Sequence, residues 1–134
     1  MNIKEFLQPN DVLADFAVSS KVGLLKGLAQ RASECFKLPA ESILSALLKR
    51  EELGSTGTGG GIAIPHARIP GLGKPFGILL RLKQPIDFGA IDDKPVDLVF
   101  LLLLPVEPNK EQLNALASVA RILRSPDAVR NQMV

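Results

Sequence analysis

The chain's single histidine, His66, follows a proline and sits within GSTGTGGGIAIPHAR, Gly54 to Arg68. Five glycines stand among the eight residues from Gly54 to Gly61. Glycines let successive backbone N–H groups turn toward one point and form an anion-binding nest. Gly54, Gly57, Gly59 and Gly61 are therefore candidate phosphate ligands, with the hydroxyls of Ser55, Thr56 and Thr58 beside them. An imidazole is a nucleophile at neutral pH, its unperturbed pKa being ~6.5. An imidazole beside a set of fixed donors is what accepting a phosphoryl group requires, because positioning and electrostatics do most of the work in that reaction. Pro65 biases Ile64 toward an extended backbone and fixes its own φ, so it limits where His66 can point. On pattern alone, a hydrogen-bonded core or turn histidine is an equal reading.

Arg50 falls three residues after Leu47 and seven after Ile43, so it emerges beside the buried stripe of its helix and can turn toward the glycine loop. The alternative is a cation placed at a helix C-terminus, where the dipole favours it. That same dipole presents its negative end to the loop, which the nest and Arg50 have to outweigh.

Other chemistries fit poorly. The phosphate-loop pattern places a lysine after its second glycine, and Gly60 stands there. The dinucleotide fingerprint fails at Ile62, where its last glycine belongs. Both motifs also run strand–loop–helix, whereas this segment runs helix–loop–strand. One histidine and one distant cysteine, Cys35, give no metal-ligand spacing. A triad of Ser55, His66 and an aspartate lacks the G-x-S-x-G elbow.

The elements around the motif read as follows. Leu25, Leu28, Ala29, Ala32, Cys35 and Phe36 recur at helical spacing from Ser20 to Phe36, with Ser19 or Ser20 as N-cap, and Cys35 is assigned to the core. A second helix is predicted over 40–53, entered at Pro39 and stopped by Gly54. Ile62 to Ile64 reads as a short strand closed by Pro65, followed by a turn region at Pro70 to Pro75. Phe76 to Leu82 and Val96 to Leu104 read as strands, the second apolar at successive positions like a strand covered on both faces. Lys110 to Arg124 is amphipathic through Leu113, Leu116, Ala117, Ala120 and Leu123, and a short final helix restarts at Ser125. The expected fold is an α/β domain with a mixed sheet of about five strands and helices on both faces.

At 134 residues one domain is expected. A net charge of +2 with no Trp or Tyr argues against nucleic-acid binding. The lone cysteine gives no disulfide, the N-terminus has no signal-peptide pattern, and the apolar run Leu98 to Val106 is about half the ~18 residues of a membrane span. A cytoplasmic protein without membrane insertion is expected.

With these residues in view, the chain resembles the enzyme IIA component of the bacterial phosphoenolpyruvate-dependent phosphotransferase system, fructose–mannitol type, and within it the nitrogen-regulatory branch. The resemblance rests on REELGSTGTGGGIAIPHA (Arg50 to Ala67), with support from PIDFGAIDDKPVDLVFLLLLP (Pro85 to Pro105) and SSKVGLLKGLA (Ser19 to Ala29). It implies that His66 accepts a phosphoryl group from a small histidine phosphocarrier protein, with Arg50 and the Gly54–Ser55–Thr56 turn holding the oxygens. It needs no metal or small cofactor. In sugar-transporting relatives the group passes on to a permease-associated cysteine. The nitrogen-regulatory branch works as a regulator of partners such as potassium-transport and sensor-kinase proteins. Three departures stand out. Gln112 occupies the position of a second histidine, where it can orient an imidazole or bond phosphate without titrating. Gly60 replaces a common asparagine. The chain stops at Val134, where relatives carry a further C-terminal helix, so one domain over 1–134 lacking that helix is the expectation. The alternatives are a sugar-specific IIA component, an interaction module that has lost phosphotransfer, and, more distantly, a hydrolase.

Overall fold

The computed structural model describes residues 12–73 and 75–106, together with Asn114, Ala117 and Arg121. In chain order the elements are β1 (Val12–Phe16), α1 (Lys21–Phe36), α2 (Ala40–Glu52), β2 (Gly57–Gly59), β3 (Ile62–Ala63), β4 (His66–Ile69), β5 (Phe76–Ile86) and β6 (Val96–Pro105).

Both helices follow their sequence signals. Ser20 is extended (φ −150°, ψ 159°) and its hydroxyl oxygen accepts the N–H of Gly23 at 3.0 Å, so it caps α1. The α1 stripe Leu24, Leu25, Leu28, Ala29 and Ala32 is buried. Cys35 is exposed, contrary to the core position assigned to it. It lies about 60° round the helix from Ala32, and Phe36 continues the stripe in its place. Phe36 is seated edge-on against Phe76, with ring centroids 4.6 Å apart. In α2, Ile43 and Leu47 are buried, and Lys49 and Arg50 close the last turn, where the helix dipole favours cations.

The sheet is mixed and has six strands, one more than expected, in the order β1-β5-β6-β3-β2, with β4 also paired to β6. The strands missed by sequence are β1, β2 and β4. β5 runs antiparallel to β6 through pairs such as Leu79↔Phe100 and Leu80↔Val99. β1 is parallel to β5. On the other edge of β6 two short parallel strands follow one another: β3 pairs Ile62↔Leu98 and Ala63↔Val99, and β4 pairs His66↔Leu102 through Ile69↔Pro105. The break between them is Pro65. It cannot donate to the ladder, but its carbonyl accepts the N–H of Leu102 at 2.9 Å, so the chain stays on the sheet edge.

β6 is apolar at nearly every position, and Leu98 through Leu103 are fully buried. A continuous apolar run is what a strand covered on both faces needs. Val99, Leu101 and Leu103 share one core with Ile78 and Leu80 of β5 and with the buried stripes of α1 and α2. Leu98, Phe100 and Leu102 face the other way and are buried too. Asn114, Ala117 and Arg121 are helical and exposed, so Ala117 is not on the buried stripe expected of it. The rest of the helix expected at 110–124, including Gln112, lies outside the described residues, as do the final short helix and Val134.

The glycine segment is a β-hairpin. β2 and β3 pair Gly59↔Ile62 across a two-residue turn of Gly60 and Gly61. The φ angles of Gly59, Gly60 and Gly61 are 99°, 67° and 81°, a left-handed run that a side chain would strain. Gly57 is required for a different reason. A Cβ there would stand 2.8 Å from both Cα and Cβ of Ala90.

Two substitutions test these assignments. Ser20→Ala is expected to destabilise by about 1 kcal/mol through the lost cap. Gly57→Ala should cost about 1–3 kcal/mol, since either backbone must shift to admit the methyl group. Urea unfolding followed by circular dichroism reads both. A Gly57→Ala midpoint equal to that of the parent protein would contradict the close approach at Ala90.

Candidate functional site

His66 is the first residue of β4, just past the proline break. The carbonyls of Gly61 and Pro65 face β6, so that of Ile64 faces the opposite way, and His66 Nδ1 lies 2.8 Å from it. A carbonyl oxygen only accepts, so Nδ1 carries the proton. At the opposite side of the ring, Arg50 Nε donates to His66 Nε2 at 3.2 Å. Arginine has no acceptor, so Nε2 must present its lone pair. Two partners on two elements thus select one neutral tautomer, with the nucleophilic pair on Nε2 and aimed at Arg50.

Arg50 is itself held twice. It reaches His66 from the last turn of α2, and its Nη1 donates to the carbonyl of Gly54 at 2.9 Å. The guanidinium therefore bridges the end of α2, the start of the glycine segment and the start of β4. Arg50 both closes a helix C-terminus and turns toward the glycine loop, as the sequence suggested, and it meets the histidine as well.

A cleft of about 510 Å³ opens beside this pair, lined by Ala46, Lys49, Arg50, Leu53, His66, Ala67, Arg68 and Leu104. Lys49, Arg50 and Arg68 supply three cations, and no acidic side chain lines the cleft among the described residues. Arg68 was missed by sequence reasoning although a signal for it exists. It stands two residues after His66 on the same strand, so both side chains project to one face. Its Nη1 donates to the carbonyl of Pro105 at 3.1 Å. Lys49 was missed because it reads simply as a solvated helix residue.

The glycine segment differs from the open anion nest expected of it, because the N–H groups of Gly54, Thr56, Gly57 and Gly60 are engaged inside the protein. The N–H of Gly54 bonds to the carbonyl of Glu51, and the carbonyl of Gly61 accepts the N–H groups of Asp97 and Leu98. Thr56, 3% exposed, gives its N–H to Glu51 Oε2 at 3.2 Å and its hydroxyl to Glu51 Oε1. The N–H of Gly57 bonds to Ser55 Oγ at 3.0 Å, and the N–H of Gly60 to Asp92 Oδ2 at 3.0 Å. Gly59 packs against the same Asp92 side chain. Of the expected phosphate ligands, the hydroxyl of Ser55 keeps a proton to donate. The structure brings His66 and Arg50 together and uses the glycines to build the hairpin next to them. Gln112 lies outside the described residues.

Asp92 shows the effect of its bonds electrostatically. The N–H of Gly60, then that of Lys94, stabilise its carboxylate and hold its pKa below the usual 3.8. Among the described residues no group of three or more His, Cys, Asp or Glu side chains could hold a metal ion, and no helix is long and apolar enough to cross a membrane.

The fold is thus a mixed α/β sheet with a histidine at a strand start, paired to an arginine beside a cleft that carries three cations. The chain belongs to the family described as "Phosphoenolpyruvate-dependent sugar phosphotransferase system, EIIA 2", which it matches over residues 5–133. Within that family it is 43% identical over 130 residues to a nitrogen regulatory protein of Bradyrhizobium diazoefficiens, covering 97% of this chain and 85% of that protein. It is 39% identical over 134 residues to a nitrogen regulatory protein of Pseudomonas aeruginosa, covering 99% and 86%. The crystal structure of nitrogen regulatory protein IIA-Ntr from Neisseria meningitidis superposes with a TM-score of 0.88 at 34% identity, covering 98% of this chain and 89% of that one. The IIA mannitol structure from Escherichia coli shares the fold, with a TM-score of 0.76 at 18% identity and coverage of 96% and 90%.

Two measurements check the site. Long-range ¹⁵N NMR of the unmodified protein near neutral pH should show His66 protonated at Nδ1; a spectrum of the Nε2-protonated form would contradict both hydrogen bonds. The Asp92 carboxylate, its pKa lowered on folding, stabilises the hairpin turn above pH 3.8, and this support is lost as pH falls through the folded-state pKa. The Gly60 amide shift should therefore titrate with a midpoint below 3.8, and Asp92→Asn should abolish that titration.

Proposed function

We propose that this chain is a cytoplasmic phosphoryl carrier of the nitrogen-regulatory enzyme IIA type, with His66 Nε2 as the acceptor atom. The observation that carries the reading is the pair of bonds on the imidazole, which put the proton on Nδ1 and the lone pair on Nε2 beside an arginine. The donor is a small histidine phosphocarrier protein. As Nε2 bonds to phosphorus, the phosphorus–nitrogen bond of the donor breaks and its electron pair returns to the donor ring. The proton stays on Nδ1, donated to the Ile64 carbonyl, and this bond supports the positive character the ring acquires.

Arg50 must leave Nε2 for the phosphorus to arrive. A hydrogen bond involving a charged group is worth about 1.5–3 kcal/mol. The arriving oxygens accept a charge-assisted, two-pronged bond from the same guanidinium, which is stronger than the single bond to a neutral ring. The exchange therefore runs downhill, while Nη1 keeps its hold on Gly54. Lys49 and Arg68 add positive potential at the mouth of the cleft. The hydroxyl of Ser55 is a further oxygen ligand in this reading, and Gln112 is assigned to orient the imidazole or the phosphoryl group.

The names of the relatives support a regulatory output, in which phosphorylation changes how the protein binds its targets, with potassium-transport and sensor-kinase proteins as candidates. A second reading is favoured by one relative. A fructose-specific EIIA component of Haloferax volcanii is 35% identical over 117 residues, covering 87% of this chain and 75% of that protein. In that reading the group passes on to a cysteine of a permease-associated domain.

Intact-mass spectrometry after incubation with phosphoenolpyruvate, enzyme I and the carrier tests the proposal. One added phosphate is expected, stable in base, lost in acid and absent in His66→Ala. Arg50→Lys, which loses the fork, should slow uptake on the order of a hundredfold. Stoichiometric uptake by His66→Ala would sink the mechanism. Rapid transfer onward to an isolated permease cysteine domain would favour the sugar-specific reading.

A further inference from the structure

Glu51 follows Arg50 directly, but one step round a helix turns the two side chains about 100° apart. Its side chain is 7% exposed. Oε2 accepts from Lys21 Nζ at 2.7 Å and from the Thr56 N–H at 3.2 Å, and Oε1 accepts the Thr56 hydroxyl. Lys21 Nζ also lies 4.4 Å from the ring centroid of Phe88. One carboxylate thus ties the first turn of α1, the last turn of α2 and the entry to β2, with the segment after β5 stacked beneath the lysine.

Burying a carboxylate costs several kcal/mol unless it is paired and hydrogen-bonded, and here three donors meet it. A clamp of that kind could serve stability alone. Two features connect it to the site. Thr56 lies two residues beyond Gly54, whose carbonyl holds Arg50 Nη1, so fixing Thr56 fixes one of the two supports of the guanidinium. Moreover, the nearest carboxylate to Arg50 in sequence is occupied by Lys21 and Thr56 and does not line the cationic cleft.

We infer that Glu51 and Thr56 are positioning residues for phosphoryl transfer, acting through Gly54 and Arg50 on His66, and that Thr56 is not itself a phosphate ligand. This rests on the phosphocarrier reading above. Glu51 cannot bond a phosphoryl oxygen, since both are acceptors, so any effect of Glu51 on the reaction has to travel through the groups it holds. Lys21 sets the charge of the clamp: it neutralises the carboxylate that would otherwise compete with an incoming anion for Arg50.

The test is single-turnover phosphorylation of the full chain at increasing concentrations of phosphorylated carrier. Thr56→Val and Glu51→Gln should each lower the rate at saturating carrier ten- to a hundredfold, roughly the effect of misplacing a reacting group by an ångström. The carrier concentration for half-maximal rate should stay within about twofold, since the docking surface is untouched. Thr56→Ser should recover most of the rate. In parallel, ¹⁵N NMR should show a slowly exchanging Arg50 Nε–H in the unsubstituted protein that is lost in Thr56→Val and Glu51→Gln. Variants that melt earlier yet keep the saturating rate, or that keep the Arg50 signal, would overturn the inference and leave a purely structural clamp. If the unsubstituted protein takes up no phosphate, the phosphocarrier reading falls, and the Arg50 signal alone decides whether Glu51 and Thr56 position that side chain.

Discussion

His66 is oriented by the alternation of backbone groups along the edge segment that covers β6. The carbonyls of Gly61 and Pro65 accept from Leu98 and Leu102 of β6, so the carbonyl of Ile64, one residue out of phase, faces away from that strand. Pro65 lacks an N–H, yet its carbonyl keeps the chain on the sheet through Leu102. The Ile64 carbonyl on the far side becomes the acceptor for Nδ1. The tautomer, the direction of the Nε2 lone pair and the place where Arg50 must meet it all follow from that alternation.

The rest of the site is an arrangement of charge around that atom. The C-terminus of α2 brings the negative end of a helix dipole toward the cleft, and Lys49 and Arg50 in its last turn answer it. Arg68 arrives from the strand of the histidine itself. The nearby carboxylate of Glu51 is turned inward and neutralised by Lys21. The outcome is a small basin carrying Lys49, Arg50 and Arg68, with the imidazole at its edge. The hairpin stands beside this basin, and the amides of Thr56, Gly57 and Gly60 bond within the protein.

Much of this was legible in the sequence, and the omissions have physical causes. α1, α2, β5 and β6 carry strong periodic or continuous apolar signals, and each appeared within a few residues of its expected bounds. β4 was hidden because HARI alternates polar and buried residues over only four positions and directly follows a proline. β2 was hidden because a strand of glycine and threonine has no hydrophobic signal; its pairing depends on Ala90 and Ile91 closing over Gly57. The turn of Arg50 toward the glycine loop was anticipated from helix phase, whereas its bond to His66 was not. The bonds made by the glycine segment were not legible, since a run of flexible residues reads alike whether its amides face a ligand or a neighbouring carboxylate. Cys35 was misplaced because Phe36, one residue on, takes the position on the stripe that both could claim. The contribution of Glu51 needs contacts between four segments, and no local pattern encodes it.

The tip of the hairpin bears on how freely this sequence can drift. Gly60 adopts φ 67°, and a side chain there would meet nothing within 4 Å. That is the backbone region which asparagine tolerates better than other residues with a Cβ. The asparagine common at this place in the resembling family and the glycine found here are thus two answers to one conformational demand. The bond from the turn amide to Asp92 uses no side chain at position 60, so it survives either choice. An exchange of glycine for asparagine at this tip is therefore expected to leave the turn and its bond to Asp92 in place.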